Sequence, residues 1–353
     1  MSPAFRPSDQ AVPQDWSALQ TWLAATGHHF DSEVAPRQFA SGLANLNYLV
    51  SVDGAPVVFR RPPDGPTGEG SNDMGREWTV LNGLVGAFPL APGPVAFCDD
   101  PTVLGVPFQL IEYRPGTAIG ATVPPEVREE LGDDAGRTLT SQLLQTMATL
   151  HAVDPATTPL AELGRPEGFL GRQVEGWARR SAAAFGDVEP PAVATIVEHL
   201  RASVPPDPRP ALLHCDLKFD NVLFDLDHLT PVAVVDWDMA TRGDPLFDLA
   251  VLLSYWVEPG DPSDLHGLDQ VPSLEAGFPS RAQVAAEYFE RTEAPAVDLS
   301  FHLVLARFRL AVAWQQMYVK FERGALHNER YRSFHALATS VLEWTANTLA
   351  DPR

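Results

Sequence analysis

Apolar side chains recur at helical spacing over residues 15–27, with Trp16, Leu19, Trp22 and Leu23 on one side and Gly27 as a stop, predicting an amphipathic helix. Residues 1–13 ahead of it are polar and interrupted by proline, the pattern of a loose tail. The period then shortens: residues 47–52 and 56–60 read as strands joined across Asp53-Gly54, a strong hairpin signal. Residues 62–75 combine Pro, Gly, Ser and Asp with almost nothing apolar, so an exposed loop is expected there. Residues 76–84 resume a helical period, and 94–98 and 107–113 predict two more strands of an antiparallel sheet of about five. Beyond Arg114-Pro115-Gly116 the pattern is mainly helical, over 137–151, 169–185, 192–204, 245–256, 281–290, 299–323 and 329–349. Two short apolar runs, 211–213 and 232–235, interrupt it, and each delivers polar residues where a strand should end. There is no internal repeat and no coiled-coil heptad pattern.

Composition adds limits. With 353 residues the chain can bury a large core and form two lobes, and 45% hydrophobic with 20% charged residues is ordinary for a soluble globular protein. A formal net charge of −21 argues against nucleic acid or an anionic membrane as partner, since both need a basic surface. The same charge suits a cationic acceptor, or serves solubility alone. Two cysteines, Cys98 and Cys215, are too few for a disulfide framework and point to a reducing compartment. Cys215 has no His/Asn pattern around it and reads as a small packing residue. No basic-then-apolar leader and no apolar run near eighteen residues is present, so a cytoplasmic protein is expected. No feature marks an oligomer interface.

The chemistry concentrates in residues 212–253. His214, Asp216 and Asn221 fall on a loop after the first short run, Asp236 and Asp238 follow the second, and Asp244 and Asp248 bracket the start of an apolar helix. Asp225, Asp227 and His228 read as a polar turn. Spacing of the form H-x-D-x-x-x-x-N, with an aspartate fifteen residues further on, fits one chemistry well. One carboxylate orients a hydroxyl and takes its proton, while the amide and the second carboxylate hold Mg²⁺ on a nucleoside triphosphate.

The run HCDLKFDN resembles the catalytic loop of the kinase-like superfamily, and D-W-D stands where protein kinases carry D-F-G. The missing Arg after His214, the D-W-D and the following GDPLFDLA resemble aminoglycoside-phosphotransferase-type small-molecule kinases. Arg-Arg-Pro-Pro at 60–63 and RFRLAVAWQQMYVKFERG at 307–324 are similar to the phosphotransferases associated with acyl-CoA dehydrogenases. The resemblance covers roughly residues 30–350 and implies a bilobal, kinase-like α+β fold. Residues 1–30 would be a tail and helix, 31–112 an N-lobe built on an antiparallel sheet, and 113–353 a mainly helical C-lobe. A hinge is expected at 112–116.

What the resemblance implies for single residues follows. Asp216 would be the catalytic base, with Lys218 near the γ-phosphate; Asn221 and Asp236 would bind Mg²⁺. Arg60 or Arg61 would replace the usual strand lysine on the α/β-phosphates of ATP or GTP, paired with Glu77 on the next helix. Ser41 and Gly42 would let backbone N–H groups approach the phosphates, although no G-x-G-x-x-G is present. Glu112 and Tyr113 would meet the adenine through their backbone. Asp248 would cap its helix and brace the catalytic loop, with His151 packed behind it. Asp238 suits either a substrate contact or loop bracing, and 258–280 has the length and composition of a lid. The aromatics Phe301, Phe308, Trp314, Tyr318 and Phe321 read mostly as core, and some of them, with Gln315 and Gln316, would wall the acceptor.

The implied reaction is γ-phosphoryl transfer to a small-molecule hydroxyl. Three acceptors stay open: a hydroxyacyl thioester or hydroxy acid, an aminoglycoside or macrolide, and a choline-like amino alcohol. The alternative from another class is a nucleotide-binding pseudokinase. A protein-kinase role is disfavoured by the absence of A-P-E and the short stretch after Asp236.

Overall fold

A computed structural model describes residues 5–40, 45–63, 73–267, 270–326 and 328–350. Two compact units emerge: Met1–Ala118 with Asp154–Glu162 and Asn221–Ala240, and Ile119–Val153 with Leu163–Asp220 and Thr241–Arg353.

The first unit is built on an antiparallel sheet in the order Arg37–Gln38, Leu46–Val52, Ala55–Arg61, Phe108–Glu112, Pro94–Cys98. Its hairpin turns at Asp53 and Gly54, whose positive φ values of 55° and 76° are what a two-residue type I′ turn needs. Helix Trp16–Ala25 starts where Asp15 accepts the Ala18 N–H, and it buries Leu19 and Leu23 against Tyr48, Phe59 and Phe108. Trp16 meets Phe59 edge-on at 5.6 Å and Trp22 meets Phe108 at 5.0 Å, which holds the helix to that sheet face. Helix Met74–Leu84 begins two residues before the predicted 76, because the Asp73 side chain accepts the Arg76 N–H and stops the helix ladder from fraying. A second sheet joins Thr117–Ala118, Val222–Asp225 and Thr230–Val234. Gly116 enters it under constraint: a Cβ there would stand 2.7 Å from Val232 Cγ2.

The second unit is mainly helical. Its longest helix, Ser300–Glu322, buries residues on nearly every side, Phe308 and Trp314 among them, and packs on Phe334–Ala350, Pro245–Tyr255 and Phe169–Phe185. A helix buried on so many sides belongs inside its unit, and its buried polar side chains, Arg309 and Gln315 among them, need partners there. The run Ala211–Leu213 pairs with Thr241–Gly243, whereas strand Thr230–Val234, which takes in most of 232–235, pairs with Val222–Asp225. The two short runs therefore serve different sheets, a choice of partner that their equal apolar character leaves undecided. Among the described residues no helix is long and apolar enough to cross a membrane.

Candidate active site

The predicted motif divides between the units: Asp216 and Lys218 belong to the second, Asn221 and Asp236 to the first.

In the first unit, the antiparallel register sets Arg60 opposite Asn47 on one neighbour and Gln109 on the other. Its buried guanidinium donates from Nε to Glu77 Oε2 at 2.7 Å, from Nη1 to Asn47 Oδ1 at 3.3 Å, and from Nη2 to Asp236 Oδ1. Glu77, 1% exposed, also accepts Gln109 Nε2 at 2.7 Å and the Trp237 backbone N–H at 3.3 Å. Burial works to lower the Arg60 pKa, but Glu77, Asp236 and Asp238 outweigh it, so the net shift is upward and the guanidinium stays charged. Arg61 turns elsewhere, donating to Gln14 Oε1 and to the Pro62 carbonyl. Of the two arginines, Arg60 is the one on Glu77.

Asp236 follows strand Thr230–Val234 in the left-handed region, with φ 71°. The Val235 N–H donates to the Asn221 carbonyl at 2.9 Å, which sets Asn221 beside the residue before Asp236. Asn221 is 8% exposed, while the Asp236 side chain keeps 36%. An amide oxygen and a carboxylate are hard donors, and Mg²⁺ takes one or two protein oxygens while keeping water and phosphate ligands. The pair fits that ion. Among the described residues no cluster of three or more His, Cys, Asp or Glu offers an all-protein metal cage.

Glu112 ends its strand with Oε2 accepting from Arg114 at 2.9 Å and from the Gly93 N–H at 2.9 Å. Tyr113 stacks on Phe39 with ring centroids 6.3 Å apart. Ser41 and Gly42 lie outside the described residues.

In the second unit, the fully buried Asp248 accepts the backbone N–H of His214 at 2.8 Å and of Cys215 at 2.7 Å. His151 sits behind it, 3.2 Å from Asp248 Oδ2 and 2.8 Å from the Tyr288 hydroxyl. Cys215 adopts φ 65°, and Arg309 Nη2 donates to its carbonyl at 2.8 Å. This strained turn presents Asp216. Lys218 Nζ lies 2.6 Å from Asp216 Oδ2 and 3.1 Å from Asp220 Oδ1. Arg309 Nη2 and the Tyr255 hydroxyl approach Asp216 Oδ1 to 3.8 Å and 3.4 Å. Burial pushes the Asp216 pKa up, but Lys218 and then Arg309 prevail and hold it below the usual carboxylate range. Burial, then Asp216, drives the Tyr255 phenol up to about 12.

Arg309, Tyr255 and Gln109 were not among the residues expected at the site. Arg309 did leave a trace: it is a charge inside the otherwise apolar stretch 308–314. Gln315 is engaged in packing instead, bonding the Ala184 carbonyl and His335. The segment 258–280 is tied within its own unit by Ser273 to Val257, Glu275 to Arg128, and Glu258 and Asp261 to Arg281.

The sequence matches the model of the phosphotransferase enzyme family (APH) over residues 36–286. The chain belongs to this family. Members resembling it include mouse acyl-CoA dehydrogenase family member 10, 26% identical over 336 residues, which is 94% of this chain and 31% of the relative. Chicken acyl-CoA dehydrogenase family member 11 is 29% identical over 318 residues, 87% of this chain and 39% of the relative. The chain thus spans about a third of the length of the curated relatives it matches.

Among solved structures, one from Ralstonia eutropha JMP134, described as a candidate aminoglycoside phosphotransferase, superposes with a TM-score of 0.73 at 23% identity, covering 95% of this chain and 99% of that one. Aminoglycoside phosphotransferase APH(4)-Ia, in a ternary complex with AMP-PNP and hygromycin B, gives 0.61 at 16% identity, with the same coverage of 95% and 99%. Macrolide 2′-phosphotransferase type I gives 0.57 at 18%, covering 96% and 98%. At these identities the likeness shows the fold, which is the expected kinase-like α+β fold of the phosphotransferase family.

Proposed function

We propose that this phosphotransferase-family chain moves the γ-phosphoryl group of ATP to a hydroxyl of a small molecule. The observation that carries the reading is Asp216: an ionised carboxylate, 20% exposed, between Lys218 and Arg309 on a turn pinned by Asp248. Residues 31–112 hold the nucleotide, with Arg60 on the α/β-phosphates kept in place by Glu77. Glu112 and Tyr113 offer backbone to the base, and the assignment of Ser41 and Gly42 to the phosphates stays an expectation from sequence. Residues 113–353 carry the catalytic loop and the acceptor.

Asp216 accepts a hydrogen bond from the acceptor O–H and so aims a lone pair of that oxygen at the γ-phosphorus. The new O–P bond forms as the bond to the β-phosphate bridging oxygen breaks, ADP leaves, and the proton passes to Asp216. A carboxylate of lowered pKa suits a loose transition state, because the hydroxyl sheds its proton late and needs direction more than a strong base. Lys218 would meet the equatorial oxygens of the transferring group. Asn221 and Asp236 would hold Mg²⁺, which when bound offsets charge on the triphosphate oxygens.

A second reading, nucleotide binding without turnover, draws on the Arg60–Asp236 pair, which sets a cation on the proposed metal oxygen. ADP formation against a panel of aminoglycosides, macrolides, choline and hydroxyacyl thioesters, with Asp216→Ala as blank, decides between the two. A signal that is absent in the blank supports transfer. MgATP binding with silence across the panel favours the second reading, and absence of nucleotide binding overturns both.

A further inference from the structure

The chain carries a net charge of −21, which by itself would welcome a cationic acceptor. Within its own unit, however, Asp216 has cations beside it, although Lys218 is shared with Asp220. Lys218 and Arg309 flank the carboxylate, and beyond Arg309 stands Arg180 on helix Phe169–Phe185. The two arginines share one indole: the guanidinium carbons of Arg309 and Arg180 lie 5.7 Å and 4.7 Å from the Trp177 ring centroid. Arg309 is committed to the Cys215 carbonyl.

Arg180 is exposed, and among the described residues its guanidinium has no hydrogen-bonded or ion-paired partner. The acid nearest it along the helix, Glu175, is taken up by Arg201 at 2.7 Å and 2.8 Å. Partial burial first, and then repulsion from Arg179 and Arg309, holds the Arg180 pKa below its ordinary value. A guanidinium lying on an indole keeps its N–H edge free, and that edge matches a carboxylate or phosphate bidentately.

Resting on the phosphotransfer reading above, we propose that the acceptor is anionic: it presents its hydroxyl to Asp216 and a carboxylate or phosphate to Arg180, with Arg309 and Trp177 between them. A polycationic acceptor would instead be repelled by Arg180, whose charge, unlike those of Lys218 and Arg309, has no carboxylate on it among the described residues.

The test uses the full chain and four six-carbon alcohols that differ in their terminal group, two anionic, one neutral and one cationic: 6-hydroxyhexanoate, 6-hydroxyhexyl phosphate, 1,6-hexanediol and 6-amino-1-hexanol. Calorimetric Kd values are measured with and without Mg·AMP-PNP, for wild type, Arg180→Ala and Arg180→Lys, alongside ADP formation from ATP. At least one anionic probe should bind ten-fold or more tighter than the diol and the amine. Arg180→Ala should erase that preference and Arg180→Lys should keep part of it, with nucleotide affinity unchanged. The ratio of the two anionic probes separates a carboxylate site from a phosphate site. Equal binding of all four probes, binding of none, or a preference that survives Arg180→Ala overturns the proposal. Charge-selective binding without ADP formation would support the anion site while counting against transfer. ADP formation without charge preference would do the reverse.

Discussion

The carboxylate of Asp248 accepts the backbone N–H of Cys215 at 2.7 Å, and Cys215 is held there at φ 65°. The second oxygen takes the His214 N–H, so a single buried side chain fixes the turn that presents Asp216. Asp248→Ala would leave two buried N–H groups unpaired and release a strained residue. A stability loss of about 2–4 kcal/mol in urea denaturation is expected. kcat should fall more than KM rises, since the base loses its aim while the binding surfaces remain. Asp248→Asn, which keeps one acceptor, should lose less on both measures.

Arg60 serves Glu77, Asn47 and Asp236 with three different nitrogens. A lysine offers a single ammonium on a flexible stem and cannot hold all three. Arg60→Lys should therefore free Asp236, and half-saturation of nucleotide binding by Mg²⁺ should move to a lower concentration. Glu77→Gln should weaken MgATP binding about ten-fold, in keeping with loss of a buried charge-assisted hydrogen bond. Fluorescent-nucleotide titrations over a Mg²⁺ series measure both.

Asp216 and Asp236 should separate cleanly by variant. Asp216→Ala is expected to retain MgATP affinity within about two-fold and to lose transfer by three orders of magnitude or more, as removal of an orienting carboxylate does. Asp236→Ala should lose Mg²⁺-dependent nucleotide affinity. Full transfer in the first variant, or unchanged metal dependence in the second, would remove the assigned roles.

Lys218 and Arg309 lower the Asp216 pKa against the upward push of burial. The folded value is depressed, so the stabilisation from ionised Asp216 is complete above the ordinary carboxylate pKa of about 4 and fades as pH falls through the lowered value. For the same reason the acid limb of kcat should lie below about pH 4. Lys218→Met removes the strongest downward influence and should shift that limb toward neutrality. A kcat–pH profile with an unmoved limb would count against Lys218 as the tuning residue.

Gly116 tests the packing instead of the chemistry. A Cβ would stand 2.7 Å from Val232 Cγ2 and 2.9 Å from Leu223 Cβ. Gly116→Ala should cost about 1–3 kcal/mol through overpacking. Thermal denaturation of this variant, with Gly120→Ala as a neighbour whose Cβ meets nothing within 4 Å, checks it.

Much of this protein was legible in short stretches of sequence. The Asp53-Gly54 turn, the Asp15 cap and the alternation of 47–60 encode their elements through neighbours on the chain, where backbone sterics and side-chain period act directly. The spacing from His214 to Asn221 and on to Asp236 likewise named a chemistry, because the order and type of those residues can be read along the chain. Contacts between distant segments were decided elsewhere. Arg60 and Arg61 look equivalent in sequence, and strand register alone turns the first toward Glu77 and the second toward Gln14. The partner of 211–213 proved to be 241–243, because long-range pairing depends on which edges the fold brings together. Arg309 and Arg180 reach the Asp216 neighbourhood from two helices over a hundred residues apart in the chain, and no local pattern could join them. The net charge likewise averages over a whole surface, whereas recognition depends on the few charges within a Debye length of the acceptor. Sequence pointed to the family through local spacing; which charged side chains stand around Asp216 was decided only by tertiary packing.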